Sequence, residues 1–206
     1  MMLTIFITVI MLVVISMLWN EGLWSNALTM VNAFLASIVA TNLYEPLAGF
    51  MDKQADSLTY FWDFLSLWLI FAISFGVFRS LTDQLSKTRV RFKMPVDLAG
   101  RAIFGLGTAW YVAMFTLFSL HTAPTDRSSF GKGFAASPDA ANFFFSPDIQ
   151  WLGFMQSRSE EGGAMARSTA VPFDPKSEFI LKYGQRRREF GKMPTLAVQT
   201  GRRRGR

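Results

Sequence analysis

Four uncharged runs of spanning or near-spanning length occupy the first 122 residues of this 206-residue chain, at 1–20, 22–44, 64–78 and 102–120. A helix of about 20 apolar residues crosses the hydrocarbon core of a bilayer. A helix also satisfies its own backbone hydrogen bonds in lipid, which an isolated strand cannot do. Four such runs do not fit one soluble core. The sequence therefore predicts an all-α membrane protein with a four-helix transmembrane bundle over 1–122.

The limits of two runs need separate argument. The first run lacks a preceding Lys or Arg, and "SMLWNEG" offers no small-x-small cleavage site, so we expect a retained helix rather than a signal peptide. The second run is expected to end at Glu45-Pro46, because proline removes a helix hydrogen bond.

Composition changes at Ala123-Pro124. Before this point charged residues fall into short clusters, whereas after it charged residues, Ser, Gly and Pro occur throughout. The later part holds 14 Lys and Arg against 8 Asp and Glu, so it carries the whole net charge of +6. Segments with few apolar residues cannot bury enough surface to fold alone. We therefore expect residues 123–206 to form a polar, basic, largely disordered tail.

The tail contains one aromatic stretch and two arginine clusters. The stretch "ANFFFSPDIQWLGFM" (141–155) is too short to span a bilayer, so we expect it to lie at the membrane interface. Arginine clusters attract anionic lipid, and also nucleic acid if the tail is cytoplasmic. The clustered residues are Arg186, Arg187, Arg188, Arg202, Arg203 and Arg204.

The reactive residue types are scarce. The chain has no cysteine and one histidine, His121, which excludes thiolate metal sites, cysteine nucleophiles and histidine clusters within one chain. His121 ends an apolar run and is expected at the membrane interface. No set of nucleophile, base and orienting group is recognisable. The sequence predicts a non-enzymatic protein with no catalytic residue, metal or cofactor.

The glycines of Gly105-Leu106-Gly107 look at first like part of a phosphate-binding loop. A nucleotide-binding loop follows a buried strand, and a P-loop also needs a Lys-Ser/Thr pair. Here the glycines lie inside an apolar run and are followed by Thr108 and Ala109. Their expected role is close packing of the fourth helix.

Rows of small residues at four-residue spacing occur in three of the runs. In lipid, small residues let helix backbones approach closely, so these rows are expected to face neighbouring helices. The rows are Ala33, Ser37 and Thr41; Ala72, Gly76 and Ser80; and Gly105, Ala109 and Ala113.

The short loops differ in charge, and this difference predicts the orientation. The loop between the third and fourth runs carries Lys87, Arg89, Arg91 and Lys93, whereas the loop between the second and third carries mostly acids and a single Lys53. Short loops rich in Lys and Arg stay in the cytoplasm. The basic loop is therefore expected to be cytoplasmic, and with four spans both termini face outward.

Three ionisable residues lie near the ends of the runs, namely Asp63, Asp97 and Arg101. Asp97 and Arg101 are four residues apart, so they can pair on one helix face. One interpretation is an ion or proton relay, because ionisable residues within a membrane are often functional. The other is anchoring at the interface, where long side chains reach the headgroups.

Two stretches resemble the colicin V production family. "EGLWSNALTMVNAFLASIVA" (21–40) is similar to the turn and second helix of that family, where an Arg-Gly pair precedes an apolar helix. "VDLAGRAIFGLG" (96–107) is similar to its Asp-x3-Gly-x3-Gly start of the last helix. Gly22, Asp97 and Gly105 match the pattern, whereas Glu21 replaces the arginine and Gly100 falls one residue early. The resemblance covers roughly residues 1–122.

The resemblance implies a multi-pass inner-membrane protein linked to toxin biosynthesis or export, without catalytic chemistry. The expected partners of this chain are membrane lipids and either other membrane proteins or a second copy of the chain. The alternative is a small transporter or channel subunit. Polar residues in or beside the runs motivate that alternative, namely Asn32, Asn42, Asp63 and Arg101.

Overall fold

The computed structural model describes residues 2–54, 59–86, 90, 92–125, 130, 145–160 and 173–192. These residues form helices without a strand. The four long helices are α1 (Met2–Trp19), α2 (Leu23–Asp52), α3 (Thr59–Leu85) and α4 (Met94–Thr122). All four are long and apolar enough to cross a membrane. The predicted all-α fold with a four-helix membrane bundle is confirmed.

Helix α4 is the centre of the bundle. It packs against α1, α2 and α3, while α2 and α3 form the most extensive helix pair. Every residue from 113 to 123 is buried, whereas α1 and α3 bury few side chains and turn most of their apolar surface outward. Leu3 and Ile7 of α1 pack against Ala113 and Leu117 of α4. The outward apolar surface is the surface that meets lipid in a bilayer.

Helix α2 is longer than the sequence predicts. It continues through Pro46 to Asp52 instead of ending at Glu45-Pro46. Proline removes a single N–H donor. The turns on either side of Pro46 are held by the burial of Tyr44 and Ala48, and this packing keeps the helix intact.

Two of the three small-residue rows face neighbouring helices as expected. Their members in α2 and α4 are all buried. For α3 the prediction is wrong, because Ala72, Gly76 and Ser80 are exposed. Helix α3 meets its neighbours instead through larger side chains, with Arg79 reaching α2 and Trp68 reaching α4.

Two further helices lie in the tail, α5 (Pro147–Ser159) and α6 (Phe179–Phe190). Their buried apolar residues belong to the same core as those of α2, α3 and α4. The expectation of disorder does not hold for these two segments, because the bundle supplies the apolar partner that the tail lacks alone. The tail residues in this core are Trp151, Leu152, Met155, Phe179 and Tyr183.

The aromatic stretch of the tail is partly described, since 141–144 lie outside the described residues. Trp151 is 1% exposed, and its indole Nε1 donates to Thr41 Oγ1 at 3.1 Å. The Trp151 ring also meets Phe34 of α2 edge to face. The stretch is therefore anchored in the bundle through Trp151, which goes beyond the interfacial position that the sequence predicts.

Candidate functional site at the tail end of the bundle

Polar side chains gather where α2 ends, α3 begins and α4 ends, beneath α5 and α6. We call this region the tail end of the bundle, and the region around the α1–α2 turn and the start of α4 the opposite end. The tail end contains two buried or half-buried polar groups and an open cleft.

The first group joins three helices around His121. His121 Nε2 lies 2.8 Å from Asp148 Oδ2, and both side chains are 3% exposed. Because a carboxylate only accepts, the Nε2 proton points at Asp148. On the other side of the ring, Arg187 Nη2 lies 3.5 Å from Nδ1 and donates to the carbonyl oxygens of Leu120 and His121, at 3.0 and 2.8 Å. His121 thus connects α5 to α6.

The pKa of Asp148 reflects these contacts. Burial alone raises the pKa of this carboxyl. The hydrogen bond and charge of His121, together with nearby backbone N–H groups of α5, outweigh burial, so the net pKa of Asp148 lies below its usual value. The carboxylate is therefore the form that holds α5 in place at neutral pH.

The second group centres on Asp63 of α3. Asp63 Oδ2 forms an ion pair with Arg186 and accepts a hydrogen bond from the Tyr183 hydroxyl at 3.0 Å. Arg186 also donates to the carbonyl oxygen of Thr59 at 2.7 Å. Burial, followed by the nearby charge of Asp63, raises the pKa of Tyr183, so its hydroxyl remains a donor. These contacts fix α6 on the start of α3.

An open cleft of about 310 Å³ lies beside the second group. Its lining residues come from α2, α3 and α6 and include three carboxylates and two cations. The cleft is polar and open to solvent, so it differs from the closed apolar interior of the bundle. The charged lining residues are Glu45, Asp52, Asp63, Lys182 and Arg186.

At the opposite end, Asp97 and Arg101 form the predicted pair. Asp97 Oδ1 accepts a hydrogen bond from the Leu23 backbone N–H at 3.0 Å, at the start of α2. Arg101 Nη1 donates to the carbonyl oxygen of Trp19 at 3.4 Å, at the end of α1. A carboxylate at a helix N-terminus and a cation at a helix C-terminus are both stabilising. The pair therefore fastens the α1–α2 turn to α4.

The glycines near this pair differ in their surroundings. A Cβ atom at Gly100 would overlap the Leu23 side chain, and one at Gly107 would lie 2.8 Å from Met30 Sδ. A Cβ atom at Gly22 would lie 3.7 Å from Asp97 Oδ1, which is an ordinary contact. Gly105 is buried, yet a Cβ atom there would meet no atom of the described residues within 4 Å. Close approach thus depends on Gly100 and Gly107 more than on Gly105.

Arg79 links α3 to the start of α2. Its guanidinium donates to Thr29 Oγ1 at 2.6 Å and to Ser25 Oγ at 3.2 Å, and it lies 3.6 Å from Glu21. Glu21, in the α1–α2 turn, thus meets an arginine of another helix. Asn32 of α2 also donates to Thr82 Oγ1 of α3, and Trp24 Nε1 donates to Ser86 Oγ just after the end of α3.

The other predicted site residues are dispersed. Lys93 is exposed and precedes α4, and Arg188 is exposed on α6. Asp63 and Arg101 lie at different ends of the bundle. The remaining basic residues, Lys87, Arg89, Arg91, Arg202, Arg203 and Arg204, lie outside the described residues.

Sequence reasoning missed the partners of His121. His121 lies at the end of α4, but its side chain is buried between α5 and α6, which the sequence does not predict. The available signal was a lone histidine that ends an apolar run, followed by a tail with Asp148 and three consecutive arginines. Nothing in the spacing indicates that these residues meet, since 27 residues separate His121 from Asp148.

The fold and this site define a class, that of helical proteins with four helices suited to cross a membrane and with tail helices packed on one end. Comparisons with protein-family models, curated proteins and solved structures give no match.

Proposed function

We propose that this is a multi-pass inner-membrane protein that recruits partners at its tail end and catalyses no reaction. The observation that carries the proposal is the docking of α5 and α6 on the bundle. Asp63 and His121 hold the two tail helices through Arg186, Asp148 and Arg187. A fixed polar surface is what a docking platform needs, because a preorganised surface loses little conformational entropy on binding.

The outer face of α6 is the part of this platform offered to a partner. Leu181 is 46% exposed, and Arg188, two helical turns further along the same face, is also exposed. An exposed apolar residue and an arginine on one helix face suit an acidic protein surface, since arginine is enriched in interfaces and opposite charges raise the rate of association.

Site-specific crosslinking tests the platform. A photoreactive residue replaces Arg188, and the control replaces Leu12 on the outward face of α1, which is 60% exposed. We expect discrete protein adducts at position 188 and lipid adducts at position 12. Adding Asp63→Asn should remove the protein adducts, because α6 loses its ion pair. Identical adducts at both positions would contradict the proposal.

The resemblance of residues 1–122 to the colicin V production family suggests toxin biosynthesis or export as the setting. Cells that lack this protein should then secrete less peptide toxin, and the wild-type chain should restore secretion. A variant with Asp63→Asn should restore it only in part. Normal secretion by the deletion strain would separate this protein from toxin export and leave the crosslinking result unaffected.

The transporter alternative receives less support from the geometry. Of its four motivating residues, Asn32 is buried against Thr82, Asn42 is exposed, Asp63 lies at the tail end and Arg101 at the opposite end. They do not line one path. We therefore expect Asp63→Asn and Arg101→Gln to leave ion flux in proteoliposomes at the wild-type level, and a clear loss of flux would favour the transporter.

A further inference from the structure

The cleft at the tail end has an acidic wall and a basic wall. Glu45 and Asp52 come from the last turns of α2 and Asp63 from the start of α3, whereas Lys182 and Arg186 come from α6. The volume of about 310 Å³ is at the lower end of the range for small-ligand sites. Groups of both charges thus line one space that is large enough for a small polar group.

The charged side chains of the cleft differ in how well they are paired. Arg186 is paired with Asp63. Lys182 lies 3.8 Å from Glu45, but both side chains are more than 60% exposed, and such pairs contribute little. Asp52 Oδ1 is buried and has no hydrogen-bond partner among the residues that the structure describes. The C-terminus of α2, which ends at Asp52, adds further negative partial charge.

An unpaired buried carboxylate oxygen is costly, and an N–H donor removes that cost. Asp52 lines the cleft, so its carboxylate can accept a hydrogen bond from a donor bound there. A primary ammonium carries three N–H donors, whereas a quaternary ammonium carries none. The acidic wall therefore discriminates in favour of a primary amine.

We propose that the cleft binds the zwitterionic headgroup of an aminophospholipid. The primary ammonium lies at Asp52 and Glu45, and the phosphate lies at Lys182 and Arg186. A lipid is the favoured source because the cleft opens where the apolar spans α2 and α3 end, at the level of the headgroups. Trp62 and Tyr183 line it, and such aromatic residues are enriched at that level.

The full-length protein in detergent tests this site with three short-chain lipids, namely dihexanoyl phosphatidylethanolamine, phosphatidylcholine and phosphatidylglycerol. Native mass spectrometry measures the bound fraction. We expect phosphatidylethanolamine to bind about tenfold more tightly than phosphatidylcholine, since hydrogen bonds between charged groups are worth at least that factor. Asp52→Asn should reduce the preference to near unity, and Lys182→Gln should weaken binding from the phosphate side. Glu160→Gln, an exposed acid at the end of α5, is the matched control.

Soluble phosphoethanolamine distinguishes the source of the headgroup. If it binds alone with the same dependence on Asp52, the recognised chemistry is supported and the ligand need not be a lipid. Equal binding of the ethanolamine and choline lipids would overturn the proposal, as would an unchanged preference in Asp52→Asn that keeps the wild-type melting temperature. Crosslinking at position 188 is independent of these results, so the platform and the headgroup site can fail separately.

Discussion

At Gly100 the helices α4 and α2 approach so closely that a methyl group would overlap the Leu23 side chain. Leu23 is also the residue whose backbone N–H is capped by Asp97, one turn before Gly100. The glycine and the carboxylate therefore act on the same point of α2. A residue with a side chain at Gly100 would push away the turn that Asp97 and Arg101 hold.

We predict that Gly100→Ala lowers the stability of the bundle by about 1–3 kcal/mol, the usual effect of overpacking a close contact. Thermal melting in detergent measures the loss. Gly105→Ala is the control, because a Cβ atom there meets nothing within 4 Å. Equal melting shifts for the two variants would show that the contact between Gly100 and Leu23 does not limit packing.

Asp148 makes the docking of α5 dependent on pH. Its pKa in the folded protein lies below the usual value of about 3.9, so the ionised form stabilises the fold above that pH. This stabilisation is lost as the pH falls through the lowered folded pKa. We predict that the wild type melts at a higher temperature than Asp148→Asn at pH 6, and that the difference shrinks below about pH 4. A difference that stays constant from pH 6 to pH 3 would contradict this role.

At the scale of elements, α6 is a short helix with few apolar residues, and its position depends on specific partners. Its buried residues Phe179 and Tyr183 pack on Phe118, on Tyr44 and on each other. The ion pair of Arg186 with Asp63 then sets the register of the helix along α3. Apolar packing stabilises the docked α6, and the ion pair fixes its position along α3.

A double-mutant cycle tests this division. Asp63→Asn and Arg186→Gln should each destabilise the docked α6 by about 1–3 kcal/mol, since each leaves a half-buried charge without its partner. The double variant should lose much less than the sum of the two. Thermal melting in detergent or protease cleavage between α5 and α6 reports the docking, with Glu189→Gln at an exposed position of α6 as control. Additive losses would mean that the pair is not coupled.

For the whole molecule, four spans place the tail and the loop between α2 and α3 at one end, with the basic loop at the other. The ion pair of Arg186 with Asp63 agrees with this arrangement, because it joins the tail helix α6 to the start of α3, just after the loop between α2 and α3. We predict that the basic loop is cytoplasmic and that the tail faces outward, because Lys and Arg in short loops decide orientation. Alkaline phosphatase fused after Arg206 should be active, and a fusion within the basic loop should be inactive. Neutralising Arg89, Arg91 and Lys93 together should weaken or invert this pattern, and an inactive C-terminal fusion in the wild type would place the tail in the cytoplasm.

The sequence by itself determined the number of spans, their order and the pair of Asp97 with Arg101. These features are local, since the length of an apolar run and a four-residue spacing are properties of one segment. The same local reasoning identified the buried rows of α2 and α4. It failed for α3, because a row of small residues does not say which face of the helix meets a neighbour.

Only the tertiary structure decided the place of the tail. Trp151 and Phe179 belong to short segments that cannot bury these side chains on their own. The apolar side chains of α2, α3 and α4 supply that partner, and His121 and Asp63 supply the matching polar contacts. Contacts such as that of Asp63 with Arg186 join residues 123 positions apart, so no local pattern records them. Whether α5 and α6 are ordered depends on the free energy gained by their burial against distant helices. That burial exists only in the assembled fold.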